Sequence, residues 1–313
     1  LGKVLAVGFA LMCILGSFGG GNMFQANQAH AMLTYAFGVP AEYGIITGVV
    51  LAALVFSVIV GGMPSIASVT EKVVPWMAAL YLGMGVIVIL MNLGSLGAAF
   101  SAIFDGAFTG AGVAGGVIGA MIQGLKRATF SNEAGVGSAA IAHSAVKTKE
   151  PITEGLVATL EPFIDTVVVC TITALVIGVA GMIPEAPVPG QGIELTSAAF
   201  GSAVSWFPMV LTIAAVLFAV STMLAWSYYG LRAFNFLFGH GKAQDMTYNI
   251  MFLLFIILGS SMSLTAVINF SDAMIFAMSI PNLIGLYFLA PVVKKELANY
   301  MAKIKSGEIK PSS

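Results

Sequence analysis

Apolar stretches of about twenty residues, separated by short polar segments, recur along the whole chain. A helix of that length crosses the roughly 30 Å of hydrocarbon in a bilayer. The pattern therefore predicts an all-α polytopic membrane protein with about eight transmembrane helices. They are expected at residues 4–33, 44–61, 73–94, 112–143, 156–182, 207–231, 246–268 and 274–293.

The fourth segment departs from this pattern because polar residues cluster in its middle. The cluster comprises Lys126, Arg127, Thr129, Ser131, Asn132 and Glu133. A charged side chain at the bilayer centre costs about 2.5–3.5 kcal/mol, so these residues need a polar cavity or an aqueous exit. We expect one discontinuous helix, whose first half ends near residues 123–124 and whose second half begins near residues 131–132. The alternative is a cytoplasmic loop between two short spans.

Composition supports the membrane assignment. Charged residues make up 9% of the chain, against roughly 25% in ordinary soluble domains. The net charge is −1, and no basic tract interleaved with aromatic residues occurs, which argues against nucleic acid as a partner. We expect one transmembrane domain over residues 1–293 and a basic tail over 294–313. The chain starts at Leu1 without Met, so we expect further sequence before it.

Lysine and arginine positions predict the orientation of the helices. Five lysines crowd the C-terminal tail, which the positive-inside rule places in the cytoplasm. If the spans alternate in direction from that tail, all remaining Lys and Arg residues also lie on the cytoplasmic side, except Lys126 and Arg127 in the fourth segment. We therefore expect a multi-pass protein of the cytoplasmic membrane with a cytoplasmic C-terminus.

Amide side chains mark the first segment. Asn22 and Gln25 are three residues apart, so in an α-helix they share one face. The glycines at 19–21 would allow a ligand or another helix to approach closely. Ligand contact and amide bonding between helices are both open at each position.

Two further segments carry candidate residues. Glu161 and Asp165, four apart, could form a proton relay, although carboxylates that simply face water at the mouth are favoured. Ser221 and Thr222 lie in the middle of a span and offer hard oxygen ligands for an alkali cation. Hydroxyls in membrane helices more often bond their own backbone, so this pair alone is weak evidence.

The sequence context supports none of the catalytic or cofactor-binding motifs considered. The three histidines are far apart in sequence, and no metal-binding or nucleophile motif occurs. The glycine run at residues 110–116 matches a dinucleotide fingerprint formally, but no strand precedes it. We therefore expect neither an enzyme nor a bound cofactor.

Four stretches, GNMFQANQ, LKRATFSNEAGVGSAAIAH, EGLVATLEPFIDT and STMLAWSYYG, resemble the sodium:alanine symporter family. The resemblance covers essentially the whole chain. It implies a LeuT-type helix bundle of two inverted repeats, in which the eight segments are core helices three to ten and one of them is discontinuous. It also implies a secondary active transporter that carries alanine or glycine with sodium.

The resemblance further implies residue roles. A broken helix presents free N–H and C=O groups that match the two charges of an amino acid. Substrate contacts are expected from six residues, namely Asn22, Gln25, Gly124, Ser131, Asn132 and Trp226. Ser221 and Thr222 are expected to bind Na⁺ as the coupling ion, and no cofactor is implied.

Other functions stay open at this point. A proton-coupled amino-acid permease of the same architecture could use Glu133, Glu161 or Asp165 as its proton carrier. An intramembrane enzyme would need a catalytic pair, but Glu133 and His143 are ten residues apart on a helix, or about 15 Å. A passive channel fits one discontinuous helix among unequal spans less well than alternating access does.

Overall fold

The computed structural model describes residues 1–108, 116–183 and 191–309, and within these ranges the chain is helical, without a β-strand. The helices are α1 Gly2–Phe18, α2 Phe24–Phe37, α3 Gly44–Ile59, α4 Gly62–Met91, α5 Leu96–Phe108, α6 Gly116–Ser131, α7 Glu133–Val136, α8 Ser138–His143, α9 Pro151–Ala158, α10 Leu160–Pro162, α11 Cys170–Val179, α12 Ile193–Ala203, α13 Phe207–Phe238, α14 Lys242–Ser261 and α15 Leu264–Lys305. Two π-helical segments, Gly19–Met23 and Phe163–Val169, continue α1 into α2 and α10 into α11.

Seven of the helical stretches in the described ranges are long and apolar enough to cross a membrane. They coincide with all the predicted segments except the fourth, and this confirms a polytopic helical membrane protein. They are Gly2–Phe37, Ala41–Ile59, Gly62–Met91, Pro151–Val179, Phe207–Phe238, Lys242–Ser261 and Leu264–Lys305.

The turn between the last two spans lies earlier than predicted. The polar residues at 269–272 suggested a loop there, but the chain turns at Met262 and Ser263. The helix tolerates Asp272 because its carboxylate pairs with Arg127 on α6. Beyond the predicted end at 293, α15 continues as one helix to Lys305.

Helices α1, α13 and α14 pack around the main core. Cys13, Met223, Tyr248 and Phe252 are fully buried between them. Other faces of the spans expose large apolar side chains such as Ile46 on α3, as expected for helices in contact with lipid. A second core surrounds the α11 and α12 region.

The fourth predicted segment is discontinuous. α6 ends at Ser131, Asn132 adopts an extended conformation, and the chain breaks again at Gly137, whose φ is 102°. The first break therefore lies near residues 131–132, where the second half was expected to begin. The prediction that the first half ends near residues 123–124 is wrong, because α6 runs unbroken through Gly124. A single glycine in a helix costs only about 1 kcal/mol, too little to stop it here.

One ion pair joins two segments that the charge pattern assigns to the same side of the membrane. The Lys303 ammonium at the end of α15 lies 2.6 Å from Oε1 of Glu150, directly before α9. The positive-inside pattern predicts a cytoplasmic position for both segments, and their contact agrees with a position on one common side.

Candidate functional site

Three consecutive residues at the first helix break contact three different parts of the molecule. The Ser131 hydroxyl bonds the Asp165 carboxylate and lies 2.7 Å from the Thr166 hydroxyl, both on the π-helical segment Phe163–Val169. The Asn132 side chain accepts a hydrogen bond from the Ala134 amide at 3.1 Å and caps α7. Oε1 of Glu133 accepts the indole N–H of Trp226, on α13, at 3.0 Å. The break thus links two neighbouring spans.

The Trp226 ring rests directly on Gly21, in the first π-helical segment. A Cβ added to Gly21 would lie 2.2 Å from Trp226 Cγ, so only glycine allows this approach. The close approach that the glycine run predicted is therefore made by a protein side chain. π-Helical turns inside α-helices frequently mark functional sites, and both such segments described here adjoin the break or its partner Trp226.

The second break is fixed by a residue that the sequence analysis missed. Asn282 on α15 donates to the carbonyls of Ala134 and Gly135 at 3.1 and 3.0 Å, and so satisfies the C-terminal end of α7. A Cβ on Gly137 would collide with Asn282 and with Phe9, besides facing the strain of a positive φ. Carbonyls that we expected to be free for a ligand are thus partly satisfied by protein.

Most amides of the first segment bond other helices. Asn22 is fully buried, and its Nδ2 donates to the Phe252 carbonyl at 2.6 Å. Asn27 donates to two carbonyls at the end of α14, and Gln28 accepts from the Ile193 amide. Gln25 differs, because its Nε2 donates to the Gly20 carbonyl of its own span at 3.1 Å. Asn22 is therefore placed at a helix interface.

A cavity of about 530 Å³ lies beside α7, and we call it the Glu133 cavity. It joins part of the break to the C-terminal half of α13 and to the start of α4. Its lining includes Glu71, Glu133, Glu161, Ser221, Thr222 and Trp226. The structure thus brings together the two predicted ion ligands and the predicted pocket wall.

A second cavity, of about 500 Å³, lies along the preceding half of α13, and we call it the Gln25 cavity. Its lining includes Gln25, Gln28, Arg127, Asp165, Thr196 and Ala219. The two cavities follow one another along α13, since residues 211–219 face this one and residues 221–229 face the other. Ser131 to Glu133 have contacts on both sides, through Asp165 and through Trp226.

Two charged or titratable side chains of the discontinuous segment, Arg127 and His143, contact acidic groups on other helices. Nη2 of Arg127 contacts both carboxylate oxygens of Asp272 at 2.6 Å, and its guanidinium lies 4.9 Å from the Phe130 ring centre. At the other end of the segment, His143 Nδ1 lies 2.6 Å from Glu154 and Nε2 lies 3.4 Å from Glu161. Glu161 faces the cavity while it contacts His143.

Two predicted site residues have less favourable surroundings. The Ser221 hydroxyl donates to the Phe218 carbonyl of its own helix at 3.0 Å. Hydroxyls in membrane helices often bond their own backbone in this way, and the bond makes Ser221 a weaker candidate for an ion ligand. Gly124 is exposed in the middle of α6, with no atom within 4 Å of an added Cβ. The structure does not bring Gly124 to the other candidates.

These features define a class: a helical membrane protein with a polar, discontinuous helix between two cavities. The model of the sodium:alanine symporter family matches residues 1–313. The chain belongs to this family. Since the family is one of transporters, the protein is not an enzyme.

Named relatives support the same assignment. The chain is 42% identical over 301 residues to the sodium/alanine symporter AgcS of Methanococcus maripaludis, with 95% of this chain and 65% of AgcS covered. It is 33% identical over 291 residues to the probable sodium/glutamine symporter GlnT of Bacillus subtilis, covering 92% and 59% of the two chains. The amino-acid carrier protein AlsT of B. subtilis is 32% identical over 288 residues, covering 91% and 60%. The chain thus spans less than two thirds of the length of these relatives.

Proposed function

We propose that this chain forms most of a secondary active transporter that carries a small neutral amino acid together with sodium across the cytoplasmic membrane. The single observation that carries this proposal is the break at residues 131–137, where Glu133 lines one cavity and Ser131 bonds Asp165 in the lining of the Gln25 cavity. A solute held at the break can be reached from either cavity, as alternating access requires.

The fold proposed with this function is the LeuT-type bundle of two inverted repeats. The seven long spans and the discontinuous segment would be core helices three to ten. Residues 1–293 would form the transporter domain and residues 294–313 the cytoplasmic tail. The positive-inside distribution then assigns the Glu133 cavity to the cytoplasmic side and the Gln25 cavity to the outer side.

An amino acid offers a carboxylate and an ammonium group a few ångströms apart. The N-terminus of a helix attracts anions, although α7 is too short to bind one without help. We propose that Ser131, Asn132 and Gln25 contact the substrate and that Trp226 forms a wall of its pocket. Asn22 and Gly124 leave the proposed set, because one bonds α14 and the other is exposed.

Thr222, with Ser221 as a weaker partner, is proposed to bind the coupling sodium ion. Both line the Glu133 cavity, where carboxylates favour cations. One monovalent cation crossing 100 mV contributes about 2.3 kcal/mol, enough for roughly fifty-fold accumulation of the amino acid. Relatives named for sodium with alanine and for sodium with glutamine support this ion and a neutral substrate.

One observation favours proton coupling as the second candidate. His143 lies between Glu154 and Glu161, and Glu161 faces the Glu133 cavity. Such a chain of titratable groups could pass protons. The same architecture would then be a proton-coupled amino-acid permease.

Uptake by proteoliposomes separates the two candidates. The protein expressed from its complete gene is reconstituted, and accumulation of labelled alanine, glycine and glutamine is measured under an inward Na⁺ gradient, an equal K⁺ gradient, or a pH gradient alone. We expect saturable uptake only with Na⁺, and a Na⁺ requirement raised about tenfold in Thr222→Ala. Ser57→Ala, whose exposed hydroxyl bonds its own helix, is the matched control. Uptake driven by the pH gradient without Na⁺ would overturn the proposal in favour of the permease.

A further inference from the structure

The Glu133 carboxylate uses only one of its two oxygens in the contacts described. Oε1 accepts the Trp226 indole N–H at 3.0 Å. Oε2 is buried and has no hydrogen-bond partner among the described residues. A buried carboxylate oxygen without a partner is costly, and native proteins rarely keep one without a reason.

A second unpartnered oxygen lies beside it. Ser138, the first residue of α8, is 0% exposed, and its hydroxyl also has no partner in the described part of the chain. Ser138 neighbours the Glu133 carboxylate, although the two groups do not reach ordinary hydrogen-bond geometry. The chain changes direction at Gly137, between α7 and α8. Glu133 and Ser138 therefore lie on either side of one tight bend in the backbone.

The charge around this pair has one sign. The charged side chains in the described lining of the Glu133 cavity are Glu71, Glu133 and Glu161, and all are acidic. Acidic side chains along a cavity with apolar walls raise the local concentration of cations. His143, whose imidazole has a positive form, is engaged by Glu154 and by Glu161 of the cavity lining.

The two oxygens also indicate which cation fits. A carboxylate and a hydroxyl are hard oxygen ligands. No group of three or more His, Cys, Asp and Glu residues converges within the described ranges, so a divalent metal ion would lack charge compensation here. A monovalent alkali cation needs only one negative ligand to neutralise it.

We propose that Glu133 and Ser138 bind a sodium ion at a site separate from Ser221 and Thr222. This sodium site rests on the proposed function, sodium-coupled transport. It places the bound ion at the helix break itself. Binding there supplies the missing partners of Glu133 Oε2 and of the Ser138 hydroxyl. Because Oε1 bonds Trp226, occupancy at Oε2 changes the electrostatic environment of the indole.

Trp226 therefore serves as a built-in reporter. The other two tryptophans of this chain, Trp76 and Trp206, are 78% and 57% exposed. They are replaced by Phe, together with any tryptophan that the complete gene encodes outside this chain, to leave Trp226 alone. In this background, the complete protein is titrated with NaCl against KCl at constant ionic strength, without amino acid. We expect a saturable change in Trp226 emission with Na⁺, and none with K⁺ in the same range.

Two substitutions locate the response. Glu133→Gln keeps an oxygen to accept the Trp226 N–H but loses the charge, and Ser138→Ala loses the hydroxyl. Each is expected to raise the Na⁺ midpoint by about tenfold or more, while Ser57→Ala leaves it unchanged. Thermal unfolding of each variant in KCl checks that the fold is retained.

The outcomes distinguish this site from the proposed function. Midpoints unchanged in both Glu133→Gln and Ser138→Ala would overturn the site, even if the parent protein accumulates alanine with Na⁺. Emission that follows pH but not Na⁺ would also overturn it and would make Glu133 a proton carrier. Absence of Na⁺-driven uptake in the parent, with a Na⁺ response that depends on Glu133, would keep the site and reject the symporter.

Discussion

The indole N–H of Trp226 donates to Glu133 Oε1 at 3.0 Å, and the ring of the same tryptophan rests on Gly21. One side chain of α13 thereby holds both the discontinuous helix and the π-helical segment of the first span. Any movement of the break relative to the first span must change at least one of these two contacts. Trp226 is thus positioned to couple the site to the surrounding helices.

Replacing Trp226 with Phe removes the hydrogen bond and keeps an aromatic ring on Gly21. Hydrogen bonds to charged groups contribute about 1.5–3 kcal/mol, so we expect Na⁺-driven uptake to fall by about tenfold or more at limiting substrate. Trp76→Phe, at an exposed position, is the matched control and should transport normally. Equal activity of the two variants would show that the Trp226 to Glu133 bond is dispensable.

Replacing Gly21 with Ala tests the close contact between the first span and Trp226. The new Cβ would lie 2.2 Å from the Trp226 side chain, whose ring is enclosed and cannot easily move away. Overpacking of this kind costs about 1–3 kcal/mol, so the midpoint of thermal unfolding in detergent should fall. Gly8→Ala, in the same span but with no atom within 4 Å of its Cβ, should be neutral or stabilising. A Gly21→Ala variant as stable as Gly8→Ala would contradict the packing described.

Replacing Asn282 with Ala removes the Nδ2 group that donates to the carbonyls of Ala134 and Gly135. Those carbonyls lie at the C-terminal end of α7, where a helix lacks partners of its own, so residues 133–138 should open more often. Hydrogen exchange followed by mass spectrometry should show faster exchange of the peptide that covers this segment. Ser279→Ala, about one turn earlier on α15 and bonded only within its helix, is the control. Unchanged exchange in Asn282→Ala would mean that α7 does not depend on α15.

The sequence predicted the spans well because each is a long apolar run whose burial in lipid depends on composition alone. It also located the start of the second half near residues 131–132, because polar residues cluster there within an apolar segment. It misplaced the end of α6 because Gly124 looked like a hinge, whereas nothing in the surroundings of Gly124 requires one. It missed Asn282 and Asp272, since their partners, α7 and Arg127, are about 145 residues away along the chain.

Residue roles were harder to predict than helices for the same reason. Asn22 and Gln25 look equivalent in sequence, yet Asn22 donates to the Phe252 carbonyl of α14, whereas Gln25 lines a cavity and donates to the Gly20 carbonyl of its own span. Distant contacts, rather than local pattern, decide which amide is available to a solute.

The most direct test of the account is whether the two cavities open in turn. Thr196 faces the Gln25 cavity and Thr70 faces the Glu133 cavity, so each is replaced by Cys in a protein whose exposed Cys170 is Ser. Labelling by a membrane-impermeant maleimide is measured in right-side-out and inside-out vesicles, with and without Na⁺ and alanine. We expect the two ligands to change labelling of Thr196→Cys and Thr70→Cys in opposite directions, each from its own side only. Simultaneous labelling of both positions from one side, unaffected by Na⁺ and alanine, would contradict alternating access through this break.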